Sequence, residues 1–132
     1  MRITVLFGGP SAEREVSLVS GQAVIEALRG VGHDVFASDI SPSDLSGLEQ
    51  PADVIFPVLH GAFGEDGQLQ KILEDRNLKF VGSGSAASRL GMNKVETKKA
   101  WEKAGLPTPP YRVIHRGGKI PAHRWSCSSG RK

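Results

Sequence analysis

At 132 residues the chain is long enough for one domain with a real core and too short for two comfortable ones. Its 39% hydrophobic and 23% charged residues are ordinary for a soluble globular protein, and its single cysteine, Cys127, excludes an internal disulfide. The formal charge of +3 does not mark a polyanion binder: all 14 acids lie between Glu13 and Glu102, outnumbering the eleven cations before residue 111, while six cations and no acid occupy the last 22 residues.

Ile3 to Phe7 is a run of apolar and β-branched residues ending at Gly8-Gly9, the pattern of a strand buried on both faces. A helix is expected next, with Val16, Val19, Ala23 and Ala27, and their neighbours Ser20, Val24 and Leu28, on its inner side; Gly30 and Gly32 stop it. His33 to Ser38 and Asp53 to Leu59 read as the second and third strands, separated by the polar stretch Ser41 to Gln50. A short helix follows HGAFGEDG, with Leu69, Ile72 and Leu73 inward and its end near Asn77. Phe80-Val81 reads as a brief strand, GSGSAAS (82–88) as a turn, and Lys94 to Ala104 as a helix with Ala100, Trp101 and Ala104 on its apolar side. AGLPTPP then ends the helix as a hinge, and Tyr111 to Ile114 is a candidate strand.

Strands alternating with helical patterns predict an α/β fold, a parallel sheet with helices on both faces. In such sheets ligands bind in the turns beyond the carboxyl ends of the strands. Three unusual segments, Gly8–Ser17, His60–Gly67 and Gly82–Ser88, follow strands at that edge. The first is no Walker loop, because it lacks GxxxxGK[ST], and no dinucleotide fingerprint, because it lacks GxGxxG. GSGSAA formally fits GxGxxA, but it follows only a brief strand and its offset acid, Glu102, lies in a Lys-rich helix; a nicotinamide site is not expected.

Two readings stand for the acids of GGPSAEREVS. Ser11 can cap the following turn while Glu13 and Glu15 favour the positive end of a helix, with Arg14 in solvent or paired with an acid. Alternatively, a carboxylate fixed at a helix start and facing a crevice binds an ammonium group. In LHGAFGEDG, His60 either packs at a strand end, with Asp66 capping the next helix, or sits over a small substrate as a donor or charge partner. His33, His115 and His123 have no metal-like spacing with His60, so no zinc site is expected. Most lysines of MNKVETKKA read as a solvated face. Lys94 differs: it stands at a helix start, where the dipole opposes it, and that mismatch favours a role toward phosphate oxygens.

Taken in order, VLFGGPSAEREVSLVSG, VLHGAFGEDGQLQ and FVGSGSAASRLGMNK closely resemble the amino-terminal part of D-alanine–D-alanine ligases, members of the ATP-grasp superfamily, over about residues 2–114. The resemblance implies an amino-terminal substrate-binding domain over residues 1–88, the start of an ATP-grasp domain over 89–114, and an irregular basic tail over 115–132. It implies a cytoplasmic enzyme of peptidoglycan precursor synthesis, a homodimer when intact, with D-alanine as substrate and no nucleic-acid or membrane partner. ATP phosphorylates the carboxylate of one D-alanine, with Mg2+ or Mn2+ bridging the phosphates, and the amine of a second attacks the acyl phosphate. By the same resemblance Glu13 anchors the ammonium of the first D-alanine, His60 lines the pocket near its carboxylate, and Lys94 contacts ATP phosphate. Gly8 and Gly9 shape the first loop, and Ser17 supports Glu13 from behind.

The family's second ATP-binding lysine, phosphate lid, metal-binding acid and asparagine, and intermediate-steadying arginine have no counterparts in this sequence, so ligase turnover by the 132-residue chain alone is not expected. A non-catalytic remnant, binding a small molecule or a second copy, is the alternative. The ending GGKIPAHRWSCSSGRK departs from the family pattern, having no apolar periodicity and no acid. A truncated or frameshifted reading frame is the expectation there, with a basic nucleic-acid-binding tail as the alternative reading.

Overall fold

A computed structural model describes residues 1–118; Cys127, His123 and most of the basic tail lie outside the described residues. Strand β1 (Arg2–Phe7) runs through the centre of a parallel sheet, flanked by β2 (Asp34–Asp39) and β3 (Val54–Pro57), in the order β2-β1-β3. The registers run from Arg2 opposite Asp34 to Phe7 opposite Asp39, and from Ile3 opposite Val54 to Leu6 opposite Pro57. From Ile3 to Phe7 β1 is apolar or β-branched because both its faces are covered. Ile3 and Val5 pack with Val35 and with Ile25 of helix α1 (Arg14–Gly30). On the opposite face, Leu6 and Ile55 pack with Leu48 of a 3-10 turn (Ser46–Glu49) and with Leu69 and Leu73 of helix α2 (Gln68–Asp75). The expected two-faced parallel sheet is therefore present.

Several local readings change. In α1 the buried residues are Ser17, Gly21 and Ile25, with Val24 and Leu28 packed beside them, whereas Val16 and Val19 are 56% and 73% exposed. The reason is steric: a side chain at Gly21 would lie 2.6 Å from Phe7 Cβ, so the glycine marks where the helix comes closest to the strand. Of the expected inner side, Val16, Val19, Ala23 and Ala27 are turned outward, while Val24 and Leu28 do pack inward. Helix α3 (Ser85–Met92) occupies the end of the expected GSGSAAS turn. Its Ser85 N–H and Oγ donate to Glu74 at the end of α2 (2.8 and 2.6 Å), a tertiary cap with no signal in local sequence. Phe80 makes a single parallel bridge to Ile55 and no strand, and Tyr111 to Ile114 forms none. Helix α4 (Lys94–Lys103) buries no residue, and Trp101 is 43% exposed.

The chain leaves β1, crosses to β2 on one side, and returns to β3 on the other. The reversal opens a crevice beyond the carboxyl ends of β1 and β3, the place where open α/β sheets bind ligands.

Candidate functional site

The floor of this crevice is the turn after β1. Gly8 and Gly9 adopt φ of +77° and +78°, a region costly for residues with a side chain. A side chain at Gly8 would also overlap Asp39 and come within 2.7 Å of Arg14 Nη1. Ser17, fully buried in α1, fastens the turn: its Oγ accepts the Gly8 N–H at 2.9 Å and donates to the Val58 carbonyl at 2.7 Å. One hydroxyl thereby ties the ends of β1 and β3. Arg14 turns back across the same loop, forms a two-pronged ion pair with Asp39, and donates to the Gly9 carbonyl at 3.3 Å.

Above this floor, Ser11 Oγ accepts the Glu13 N–H at 3.1 Å and donates to the His60 carbonyl at 2.6 Å, joining the two loops. Glu13 occupies the N-cap of α1, yet its carboxylate makes no capping bond. It extends over the second loop instead: a side chain at Gly61 (φ +70°) would lie 3.5 Å from Glu13 Oε1. Glu15 stands in the first turn of α1, where helix-end electrostatics account for it.

His60 is held from two sides. Its Nε2 is 3.1 Å from Ser20 Oγ, and its Nδ1 is 3.7 Å from Glu65 Oε1. Ser20 gives its only proton to the Val16 carbonyl, so toward His60 its oxygen can only accept. That network assigns the imidazole proton to Nε2. Glu65 is fixed in turn by the Gly61 N–H, which donates to Oε2 at 2.7 Å.

The His60–Gly67 loop owes its shape to Phe63, which is buried at φ +70°, and to Asp66. Asp66 accepts from the Phe63 N–H at 3.0 Å and from the Gln68 N–H at 3.1 Å. Burial alone pushes the Asp66 carboxyl up, but these donors and the Gln68 amide outweigh it and hold it below the usual range. Between this loop and the turn after Phe80 lies a cleft of about 340 Å³, lined by His60, Glu65, Gln70, Ser83 and Ser88 among others.

Sequence reasoning singled out Glu13, His60, Gly8, Gly9 and Ser17, and the structure brings all five to this edge. It passed over Ser20 and Glu65, which hold His60, and the bond from Ser11 to the His60 carbonyl, although the expected capping by Ser11 is present in its acceptance of the Glu13 N–H. Glu65 had a legible signal, five residues beyond His60 in a glycine-bounded loop; Ser20 had none, since its partner lies 40 residues away. Lys94 shares no hydrogen bond with Glu13 or His60. It donates to the Gly91 carbonyl at 3.2 Å, in the last turn of α3. A cation is favourable there, so the unfavourable position at the start of α4 has a structural counterweight that the sequence reading lacked. Among the described residues no three His, Cys, Asp or Glu side chains converge as metal ligands. The described residues thus do not fit a divalent-ion site of their own.

The family model described as "D-ala D-ala ligase N-terminus" matches residues 2–45 and 38–83. The chain belongs to this family. It is 49% identical over 114 residues to a D-alanine–D-alanine ligase of Pseudomonas entomophila, a match covering 86% of this chain and 36% of that protein. The solved D-alanine–D-alanine ligase of Bacillus anthracis superposes with a TM-score of 0.79 at 30% identity, over 92% of this chain and 40% of the other. The VanG D-Ala:D-Ser ligase of Enterococcus faecalis gives a TM-score of 0.71 at 30% identity, over 83% and 43%. The chain thus spans about two fifths of the length of the relatives it matches. All five edge residues, with Ser11, Ser20 and Glu65, fall within the segments the ligase-family model matches; Lys94 falls beyond them.

Acid should loosen this ligase-family fold. Arg14 holds Asp39, the Arg2 N–H and guanidinium hold Asp53, and Ser85 holds Glu74, each below the ordinary carboxylate range. Depressed folded values mean stability present above the unfolded values, near 4, and lost as pH falls through the folded ones. Urea melts should give a midpoint that is level from neutrality to about pH 5 and declines below about pH 4. Asp39→Asn should shrink that decline.

Proposed function

We propose that this edge is the amino-acid side of an ATP-dependent D-alanine–D-alanine ligase site. The observation that carries the reading is the meeting of two polar side chains at one sheet edge: the uncapped Glu13 carboxylate over Gly61, and His60 braced by Ser20 and Glu65. An amino acid is a zwitterion, and such a pair orients it. Its ammonium meets Glu13, and its carboxylate is left toward the His60 imidazole.

The arrangement serves a carboxylate-activating reaction. With the amine claimed by Glu13, the substrate's carboxylate is its free end, and phosphorylation there needs an unencumbered oxygen. ATP, when bound, supplies the phosphoryl group that makes this carboxylate electrophilic. Lys94 is the described residue proposed to meet an ATP phosphate; its ammonium spends one donor on Gly91 and keeps two. Mg2+ or Mn2+ belongs to the proposed whole reaction, with ligands outside the described residues. The names of the relatives agree on D-Ala and differ at the partner, D-Ala or D-Ser. D-alanine is accordingly the ligand proposed for this part of the site, in a cytoplasmic step of cell-wall precursor synthesis. Among the described residues no helix is long and apolar enough to cross a membrane.

Calorimetric titration of the chain with D-alanine should give saturable binding on the order of millimolar, the strength of a few polar contacts. L-alanine should bind more weakly. Equal binding of the two enantiomers, or none of either, would overturn the reading.

One observation favours a second reading, in which the chain serves assembly without catalysis. Val16, Val19 and Ala23 form an outward apolar strip on α1 beside Glu15 and Ser20. A homodimer would bury such a strip. Sedimentation should then show a concentration-dependent dimer that Val19→Lys abolishes.

A further inference from the structure

Behind the His60 loop, at the lining of the same cleft, stands a buried side chain with no role assigned so far. Gln70, on α2, is 8% exposed. Its Nε2 donates to the Gly64 carbonyl at 2.6 Å. Its Oε1 is the one buried side-chain nitrogen or oxygen among the described residues without a hydrogen-bond partner. A buried amide with one end unsatisfied is less favourable than an apolar side chain of the same shape. Packing therefore does not account for glutamine at this position.

The single bond it does make is informative. Gly64 directly precedes Glu65, in a turn under constraint on every side. Phe63 sits at φ +70°, a conformation unfavourable for a residue with a side chain. Gly64 is pressed so closely on Leu59 that an added side chain would lie 2.9 Å from the Leu59 carbonyl carbon. Glu65 then reaches back to the Gly61 N–H and toward His60. A strained turn relaxes unless something holds it, and the Gly64 carbonyl is where α2 takes hold.

We infer that Gln70 is a positioning residue for the His60–Glu65 pair: its amide grips the Gly64 carbonyl and so sets where Glu65 meets His60, at the cost of an unpaired buried oxygen. The effect on the turn is independent of the ligand; its consequence for binding rests on the reading of this edge as the amino-acid site.

The test compares the 132-residue chain with Gln70→Met, and with Gln70→Leu as a second apolar replacement of different shape. Amide hydrogen exchange at Gly61, imidazole nitrogen NMR signals of His60 and the melting temperature are read together. The expected result is exchange at Gly61 faster by on the order of tenfold, the effect of one lost net hydrogen bond. The His60 signals should shift toward a mixture of tautomers, while the melting temperature falls only modestly, because the Gly64 carbonyl loses its partner as the unpaired Oε1 is removed. Unchanged Gly61 exchange and His60 signals in both variants would overturn the inference. So would a uniform loss of protection across all of α2 with a strongly lowered melting temperature, since that marks a purely structural residue. A D-alanine titration of the same variants separates the two claims. A loosened turn with unaltered D-alanine affinity supports the Gln70 assignment and counts against the amino-acid site.

Discussion

Replacing Ser17 with alanine is expected to destabilise the fold by about 2–4 kcal/mol, since each buried group left unsatisfied costs roughly 1–3 kcal/mol. The hydroxyl serves both the Gly8 N–H and the Val58 carbonyl, and neither has a substitute partner. The loss acts at the junction of β1 and β3, so it should also disorder the crevice floor. Chemical denaturation reads the effect as a lowered midpoint with an unchanged slope. Ser17→Thr should retain most of the stability if its methyl group fits. A cost below about 0.5 kcal/mol for Ser17→Ala would mean that the two backbone groups find other partners.

Glu13→Gln should weaken D-alanine binding by roughly 10- to 100-fold, the range for losing a hydrogen bond to a charged group. It should leave the melting temperature almost unchanged, because the carboxylate makes no capping bond and no ion pair among the described residues. The two readings of this residue predict opposite patterns. A substrate anchor loses affinity and keeps stability; a helix-end stabiliser does the reverse. Glu15→Gln serves as the internal control, expected to cost only a few tenths of a kcal/mol and to leave binding intact.

Much of this arrangement was legible in the chain itself. Ile3–Phe7 announced a doubly buried strand, and Gly8-Gly9 announced the turn that ends it, which the structure builds on left-handed backbone. Alternation of strand and helix patterns placed three unusual loops at one sheet edge, and two of them, Gly8–Ser17 and His60–Gly67, meet through Ser11 and His60. What stayed hidden depends on distance. Periodicity gave α1 one inner side running from Val16 to Leu28, and only the position of Phe7 decides that Gly21 and Ile25 face the sheet while Val16 and Val19 do not. Helix α3 has a weak apolar pattern and is capped by Glu74, eleven residues away in sequence. The braces on His60 are of the same kind: Ser20 belongs to another element, and a hydroxyl in mid-helix carries no local sign of its partner. Lys94 is the instructive opposite, where a local anomaly proved to have a local structural partner in Gly91.

A crystal structure of the chain with D-alanine bound would test the central claim most directly. The account predicts the ammonium within hydrogen-bond distance of the Glu13 carboxylate and the substrate carboxylate on the His60 side of the crevice. D-alanine bound with its ends reversed, or seated away from the edge that Glu13 and His60 share, would contradict it.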